Sequence, residues 1–220
     1  MYDVITFDCY GTLVDWEDGI TRAIAGAAER RGLRLGRDEI IEAYHAVEPE
    51  VQAAEYRSYR EVLGQTAVAV AARLGWTLEP ANAGFLAESL RDWVPFPDTN
   101  QALKDLNAQR YRLGILSNVD DDLLRGTLRH LSVPFDFLVT AEQLRSYKPA
   151  TRHFERAQEL VGDARWLHVA QSYFHDIEPA VALGIPVVWV NRKGESPGGK
   201  VRPTGEVSTL KDLLRWLRDS

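Results

Sequence analysis

The sequence predicts an α/β protein: a mostly parallel β-sheet core, interrupted after its first strand by an inserted helical block. Three observations carry this. The apolar run Val4–Phe7 ends at Asp8, and a turn containing Gly11 follows at once, the pattern of a buried parallel strand whose carboxyl end opens on a crevice. Residues from about 16 to 93 then show helical periodicity and no convincing strand. From Pro95 onward, strands and helices alternate at the lengths of βαβ units.

The elements follow in order. Ile20, Ala23, Ile24 and Ala27 recur at helical spacing and stop near Arg31-Gly32. A second helix is expected from about Arg37 to Glu55, carrying Ile40, Ile41, Tyr44 and Val47, and a third from about Tyr59 to Leu74, ending at Gly75. A fourth runs from about Pro80 to Trp93, with the proline suited to a first turn. A helix over about Asn100 to Gln109 leads to the strand Tyr111–Leu116, which stops at Ser117-Asn118. A helix over about Asp121 to Leu131 precedes a short strand, Phe137–Val139. Ser146-Tyr147-Lys148-Pro149 leads into a helix over about Thr151 to Val161. The strand Trp166–Ala170 ends at Gln171-Ser172, with a helix near Asp176 to Leu183. Pro186–Val190 is a β-branched strand, Lys193–Thr204 an exposed loop, and Leu210–Leu217 a closing helix. There is no internal repeat. The expected division is residues 1–15 with 95–220 as the core, and 16–94 as the helical block over the crevice.

Composition narrows the function classes. At 220 residues, 45% hydrophobic and 26% charged, the chain can bury a full core. A net charge of -6 implies no basic face, so nucleic acid is not the expected partner, whereas a small anionic substrate needs only a local positive pocket. The single cysteine, Cys9, excludes an internal disulfide and suits a reducing compartment; alternation turns it away from Asp8 and Tyr10, so it reads as packing. No run reaches the ~18 apolar residues of a membrane span, and no signal-peptide pattern opens the chain. The expectation is a cytoplasmic protein without a membrane role. A homodimer is compatible with this, and no distinct apolar interface marks one.

Polar residues stand where the apolar strands stop: Asp8, Ser117 with Asn118, and Gln171 with Ser172. Lys148 lies on a loop before a helix, and Asp176 opens the last crevice helix. An open parallel sheet brings such groups to one edge. Together they form a hydrolytic set: a nucleophilic carboxylate steadied by turn amides, a fixed cation, hydroxyl and amide donors, and a second carboxylate to activate water. Each member also has a plain structural alternative. Asp8 caps a turn, Ser117 and Ser172 cap helices, Asn118 forms a turn, and Lys148 is a solvated lysine.

The combination resembles the haloacid dehalogenase superfamily. Asp8-Cys9-Tyr10-Gly11-Thr12-Leu13 is similar to its first motif, Leu116-Ser117-Asn118 to its second, and Tyr147-Lys148-Pro149 to its third. Val169 to Asp176 takes the place of the fourth. The helical block and the closing Pro203-Thr204-Gly205…Leu210 pattern match as well. The resemblance implies a Rossmann-like core with a helical cap domain.

Most members are magnesium-dependent phosphatases with a second aspartate two residues after the nucleophile and a metal carboxylate in the fourth motif. Here Tyr10 and Gln171 hold those positions, which disfavours the ion. A tyrosine followed by Gly-Thr resembles the (S)-2-haloacid dehalogenase branch. That resemblance implies attack by Asp8 on the halogen-bearing carbon, loss of halide, and hydrolysis of the resulting ester with inversion, with no metal or cofactor. By position, Thr12 and Ser117 hold Asp8 or substrate oxygens, Asn118 donates toward halide, and Tyr10 lines the pocket. Lys148 orients and ionises Asp8, lowering its pKa, and Asp176 positions water. His45, with Trp16 nearby, stands where the branch carries a cap arginine; Arg57 and Arg60 are the alternative cations, and His45 and His175 read equally as surface or packed histidines. Phe154 stands where the branch has a tyrosine. Ser172 belongs to the altered fourth motif, Gln171-Ser172-Tyr173-Phe174-His175-Asp176. The alternatives are a magnesium-dependent phosphatase working through an aspartyl-phosphate, and a catalytically idle binding protein.

Overall fold

A computed structural model describes residues 2–52, 55–197 and 201–219. The elements are β1 (Val4–Phe7), α1 (Trp16–Glu29), α2 (Arg37–Gln52), α3 (Tyr59–Arg73), α4 (Phe85–Ser89), α5 (Thr99–Ala108), β2 (Arg112–Ser117), α6 (Asp121–Leu128), β3 (Phe137–Thr140), α7 (Ala141–Leu144), α8 (Arg152–Val161), β4 (Trp166–Ala170), α9 (Glu178–Ala182), β5 (Val187–Val190), β6 (Gly205–Val207) and α10 (Leu210–Asp219). They form two compact units: residues 1–15, 95–118 and 129–220, and residues 16–94 with 119–128.

The first unit is the α/β one. Its strands form a single six-stranded sheet in the order β3-β2-β1-β4-β5-β6, and every pairing is parallel. The mostly apolar, buried strands β1, β4 and β5 explain this, because parallel strands are covered by helices on both sides. Phe7, the last residue of β1, lies opposite Ile115 of β2 and Val169 of β4. The chain order reverses across β1 and β4, so the residues leaving these two strands sit at the topological switch point, where open sheets bind ligands. Leu116, Phe154, Trp166, Ile177 and Trp189 build one side of the core.

Several elements depart from the expectations. The strand β6 replaces the end of the expected loop. Its three residues lack an apolar run, and it exists because α10 packs on it: a Cβ on Gly205 would lie 2.5 Å from the Trp216 ring. Residues 198–200 of that loop lie outside the described residues. The short helix α7 was not expected either; the Thr140 hydroxyl caps it by accepting from Gln143 N. The last crevice helix begins earlier, as a π-turn over Tyr173–Ile177 that runs into α9.

The second unit is helical. Ile20, Ile24, Ile40, Leu63 and Leu86 are fully buried in it, and Gly19 lets the Trp93 ring approach to where a Cβ would lie 2.4 Å from it. The helix expected over 80–93 is broken into a 3-10 turn at Pro80–Asn82, α4, and a second 3-10 turn at Leu90–Asp92, with Gly84 at the break. The helix α2 ends at Gln52, and residues 53–54, which fall in its expected continuation, lie outside the described residues. The helix α6, expected with the core, groups with the helical unit and stops at Leu128. Asp120 ties it there, its two carboxylate oxygens accepting from the backbone N–H groups of Tyr59 and Arg60 at the start of α3, at 2.8 and 2.9 Å. Among the described residues, no helix is long and apolar enough to cross a membrane.

Candidate active site

The site is built on the loop leaving β1. Asp8 prolongs the sheet, its N–H donating to Val169 O at 3.1 Å. The chain then reverses through Gly11, whose φ of 101° is a conformation that side chains resist. Within this turn Gly11 N donates to Val14 O, and Leu13 N and Val14 N donate to Cys9 O. These three amides close the turn on itself. One donor at the carboxylate is a side chain of the turn: Thr12 Oγ1 donates to Asp8 Oδ2 at 2.8 Å and accepts from Gln171 N at 2.9 Å. Arg192 braces the turn from outside. It lies over the Phe96 ring at 4.0 Å, pairs with Asp98, and donates to Thr12 O at 2.9 Å. Cys9 is buried.

Lys148 is 1% exposed, and its ammonium is fully engaged. It donates to Asp8 Oδ1 at 3.0 Å, to Leu116 O at 2.8 Å and to Asp176 Oδ1 at 2.6 Å. Three donors meet three acceptors, the condition under which a buried charge is tolerated. The alternative of a solvated lysine is thereby excluded. Asn118 fixes the lysine's main chain: Oδ1 accepts from Lys148 N at 2.7 Å, and Nδ2 donates to Lys148 O at 3.0 Å. The Lys148–Pro149 peptide is cis.

One ammonium shared by two buried carboxylates separates their proton affinities. Burial raises the Asp8 carboxyl, and the Asp176 charge adds to that, together outweighing the pull of Lys148 and the Thr12 hydrogen bond. Asp8 is therefore raised on balance: Lys148 acts downward, as expected of its charge, but burial outweighs it, and the closer contact of Lys148 is with Asp176. Burial also opposes ionisation of Asp176, yet Lys148 and His168 overcome it and hold that carboxyl well below the usual range.

The residue that sequence reasoning missed is His168. It is fully buried in β4, and its Nε2 lies 3.0 Å from Asp176 Oδ1. On the other side Nδ1 lies 2.8 Å from Thr6 Oγ1, which accepts from Trp166 Nε1 at 2.7 Å. The available signal was a pair of polar residues, Thr6 and His168, inside two otherwise apolar runs. Within the site, the buried oxygens Asp176 Oδ2 and Ser117 Oγ have no hydrogen-bond partner among the described residues.

The other expected residues take these places. Tyr10 is half-buried beside the turn. Ser172 acts as an N-cap, its hydroxyl accepting from His175 N at 3.2 Å and lying 3.0 Å from His175 Nδ1. His175 is half-buried, with burial lowering its pKa. Phe154 is buried edge-on against His168, centroids 5.3 Å apart. Trp16 and His45 belong to the helical unit, where their rings lie 5.4 Å apart and Tyr44 lies 5.5 Å from Trp16. Arg60, also in that unit, pairs with Asp122 at 2.6 Å. Magnesium demands near-octahedral oxygen ligands. Here both oxygens of Asp8 and Oδ1 of Asp176 already accept hydrogen bonds, and no group of three His, Cys, Asp or Glu among the described residues could hold a metal ion. The donor set does not fit the ion.

Comparison with known proteins identifies the family. The chain is 28% identical over 224 residues to an (S)-2-haloacid dehalogenase of Pseudomonas putida, covering 98% of this chain and 97% of that one. It is 26% identical over 201 residues to a haloacetate dehalogenase of Moraxella sp. (strain B), covering 87% of each. Its fold matches the solved structure of L-2-haloacid dehalogenase from Xanthobacter autotrophicus with chloropropionic acid covalently bound, with a TM-score of 0.83 across 99% of both chains and 22% identity. The family profile of haloacid dehalogenase-like hydrolases matches residues 2–193. A parallel sheet with its nucleophile candidate at the switch point, and a family match over most of the length, lead to one conclusion: the chain belongs to the haloacid dehalogenase-like hydrolases.

Proposed function

We propose that this hydrolase dehalogenates a small 2-haloalkanoic acid through an ester on Asp8, without a metal ion. The observation that carries the reading is the Lys148 ammonium, buried within 3.0 Å of Asp8 and 2.6 Å of Asp176. It supplies in protein form the positive charge that a phosphatase draws from its metal, while Tyr10 and Gln171 replace the carboxylates such a metal needs. The names of the relatives support the same substrate class.

In the first step an Asp8 carboxylate oxygen attacks the carbon bearing the halogen. A carbon–oxygen bond forms, the carbon–halogen bond breaks, and halide leaves with its electron pair. In the second step water attacks the Asp8 carbonyl carbon of the ester and passes one proton to Asp176; the bond from that carbon to the substrate oxygen breaks, the oxygen takes the proton from Asp176, and the 2-hydroxy acid departs with the inversion set in the first step, while Asp8 releases the remaining water proton to regain its charge. Lys148 and Thr12 each hold one Asp8 oxygen, so whichever remains as the carbonyl keeps a donor for the developing oxyanion. Ser117 Oγ is the buried hydroxyl offered to the substrate, and Asn118 secures Lys148. By the family resemblance the helical unit is the cap domain, and Trp16 and His45 are its candidate substrate-binding residues.

The test is a paired assay on EDTA-treated protein. One arm follows halide from chloro-, bromo- and fluoroacetate and from both enantiomers of 2-chloropropionate. The other follows phosphate from an aryl phosphate, with and without magnesium restored. EDTA-insensitive halide release that disappears in Asp8→Asn is expected. Phosphate release only with magnesium replaces this reading by a phosphatase, and silence in both arms leaves a binding protein.

A further inference from the structure

We propose that His168 is a positioning residue for the hydrolytic step: the buried chain from Trp166 through Thr6 fixes its ring so that it holds Asp176 Oδ1, leaving Oδ2 to take the proton of the attacking water. The inference rests on the dehalogenase reading above.

The proton positions follow from what each group can donate. The indole N–H of Trp166 is a donor only, so Thr6 Oγ1 must accept it, at 2.7 Å. The hydroxyl then has one proton to give, and His168 Nδ1 is 2.8 Å away. Among the described residues Nδ1 is the one acceptor offered to that proton, so a satisfied buried hydroxyl gives it there; the ring proton then sits on Nε2 and points at Asp176 Oδ1 at 3.0 Å. The sheet register makes the chain possible, since Thr6 and His168 are direct partners across β1 and β4. All three side chains are buried, Trp166 at 6% and the others at 0% exposure, so water does not substitute for these contacts. Asp176 Oδ1 thus has two donors, Lys148 and His168, arriving from different elements. Two anchored bonds on one oxygen set the plane of the carboxylate. The second oxygen, Oδ2, is buried and has no partner among the described residues, as a base waiting for a substrate water would be. Nothing in the alkylation step requires His168, because Lys148 and Thr12 already serve Asp8.

The two steps can be separated kinetically. The ratio kcat/KM covers events up to halide loss, whereas kcat includes ester hydrolysis. Replacing His168 by Leu should lower kcat about ten- to a hundredfold, the loss expected for one charge-assisted hydrogen bond, while kcat/KM for halide release holds. Halide should appear as a burst matching the enzyme, and intact-protein mass spectrometry should show the Asp8 ester accumulating. His168→Gln, whose amide N–H reaches the Nε2 position, should restore turnover. Long-range proton–nitrogen NMR of wild-type protein, which needs neither substrate nor variant, should show the proton on Nε2 and none on Nδ1. A fall of kcat and kcat/KM together without adduct, or a Leu variant that turns over like wild type, overturns the proposal. A ring protonated at Nδ1 overturns it while leaving the dehalogenase reading standing. A wild-type enzyme that releases no halide overturns that reading, and this role with it.

Discussion

Replacing Lys148 by Met keeps the length and apolar bulk of the side chain and removes only the charge. The ammonium that disappears is 1% exposed and faces Asp8 at 3.0 Å and Asp176 at 2.6 Å. Removing one partner of a buried ion pair costs about 3–5 kcal/mol. Here two carboxylates lose the same cation, which places the cost toward the top of that range. For a chain of this size about 2–4 °C of Tm is lost per kcal/mol, so a drop of roughly 10–20 °C is expected at neutral pH. The sign of the pH dependence distinguishes this mechanism from lost packing. Without Lys148, both carboxyls have folded pKa values raised above their unfolded ones, so the native state binds more protons than the unfolded state. Stability relative to wild type then recovers as pH falls and worsens as it rises. Denaturant melts of wild type, Lys148→Met and Lys148→Met with Asp176→Asn, at pH 5 and pH 8, make the measurement. The single variant should be penalised less at pH 5, and the added Asn should recover part of the loss at pH 8. A penalty below about 1 kcal/mol, the worth of an exposed pair, or one equal at the two pH values, would refute the shared-ammonium account.

Two further outcomes follow from the same structure. In the proposed mechanism Asp8 attacks only when ionised, and burial with the Asp176 charge raises its pKa above 3.8, so the attacking form is lost as pH falls through a value above the ordinary aspartate range. The acid limb of kcat/KM is expected there, as a property of the coupled group rather than of Asp8 alone, and a limb at or below 3.8 contradicts it. Asp120 caps the first turn of α3 with both carboxylate oxygens; Asp120→Ala should cost about 1–2 kcal/mol in denaturant melts, and no measurable loss would show the cap to be unimportant.

How much was legible can be judged residue by residue. Asp8, Ser117, Asn118, Lys148 and Asp176 stand out in the text because each is polar where an apolar strand stops or a helix starts. That contrast is local, and the parallel sheet gathers such ends at one edge whatever the packing details. The alternation of strands and helices after Pro95 has the same local origin, as does the strand-free character of residues 16–93. Where tertiary contacts compete with local pattern, the text misleads. A helical pattern over 80–93 breaks around Gly84, the strand β6 forms from three residues that show no strand signal, and α6 follows the Asp120 cap into the helical unit.

The sequence by itself therefore determined the class of fold, the helical block after β1 and the candidate nucleophile, because these depend on periodicity and on the chemistry of single side chains. Only the tertiary structure decided how the charges are shared. Lys148 is closer to Asp176 than to Asp8, so burial raises one carboxyl while the cation and a histidine lower the other. His168 reaches Asp176 only because the register of β1 against β4 sets it opposite Thr6, 162 residues away in the chain. Distances and burial of this kind arise from packing between segments far apart in sequence, and no local pattern encodes them.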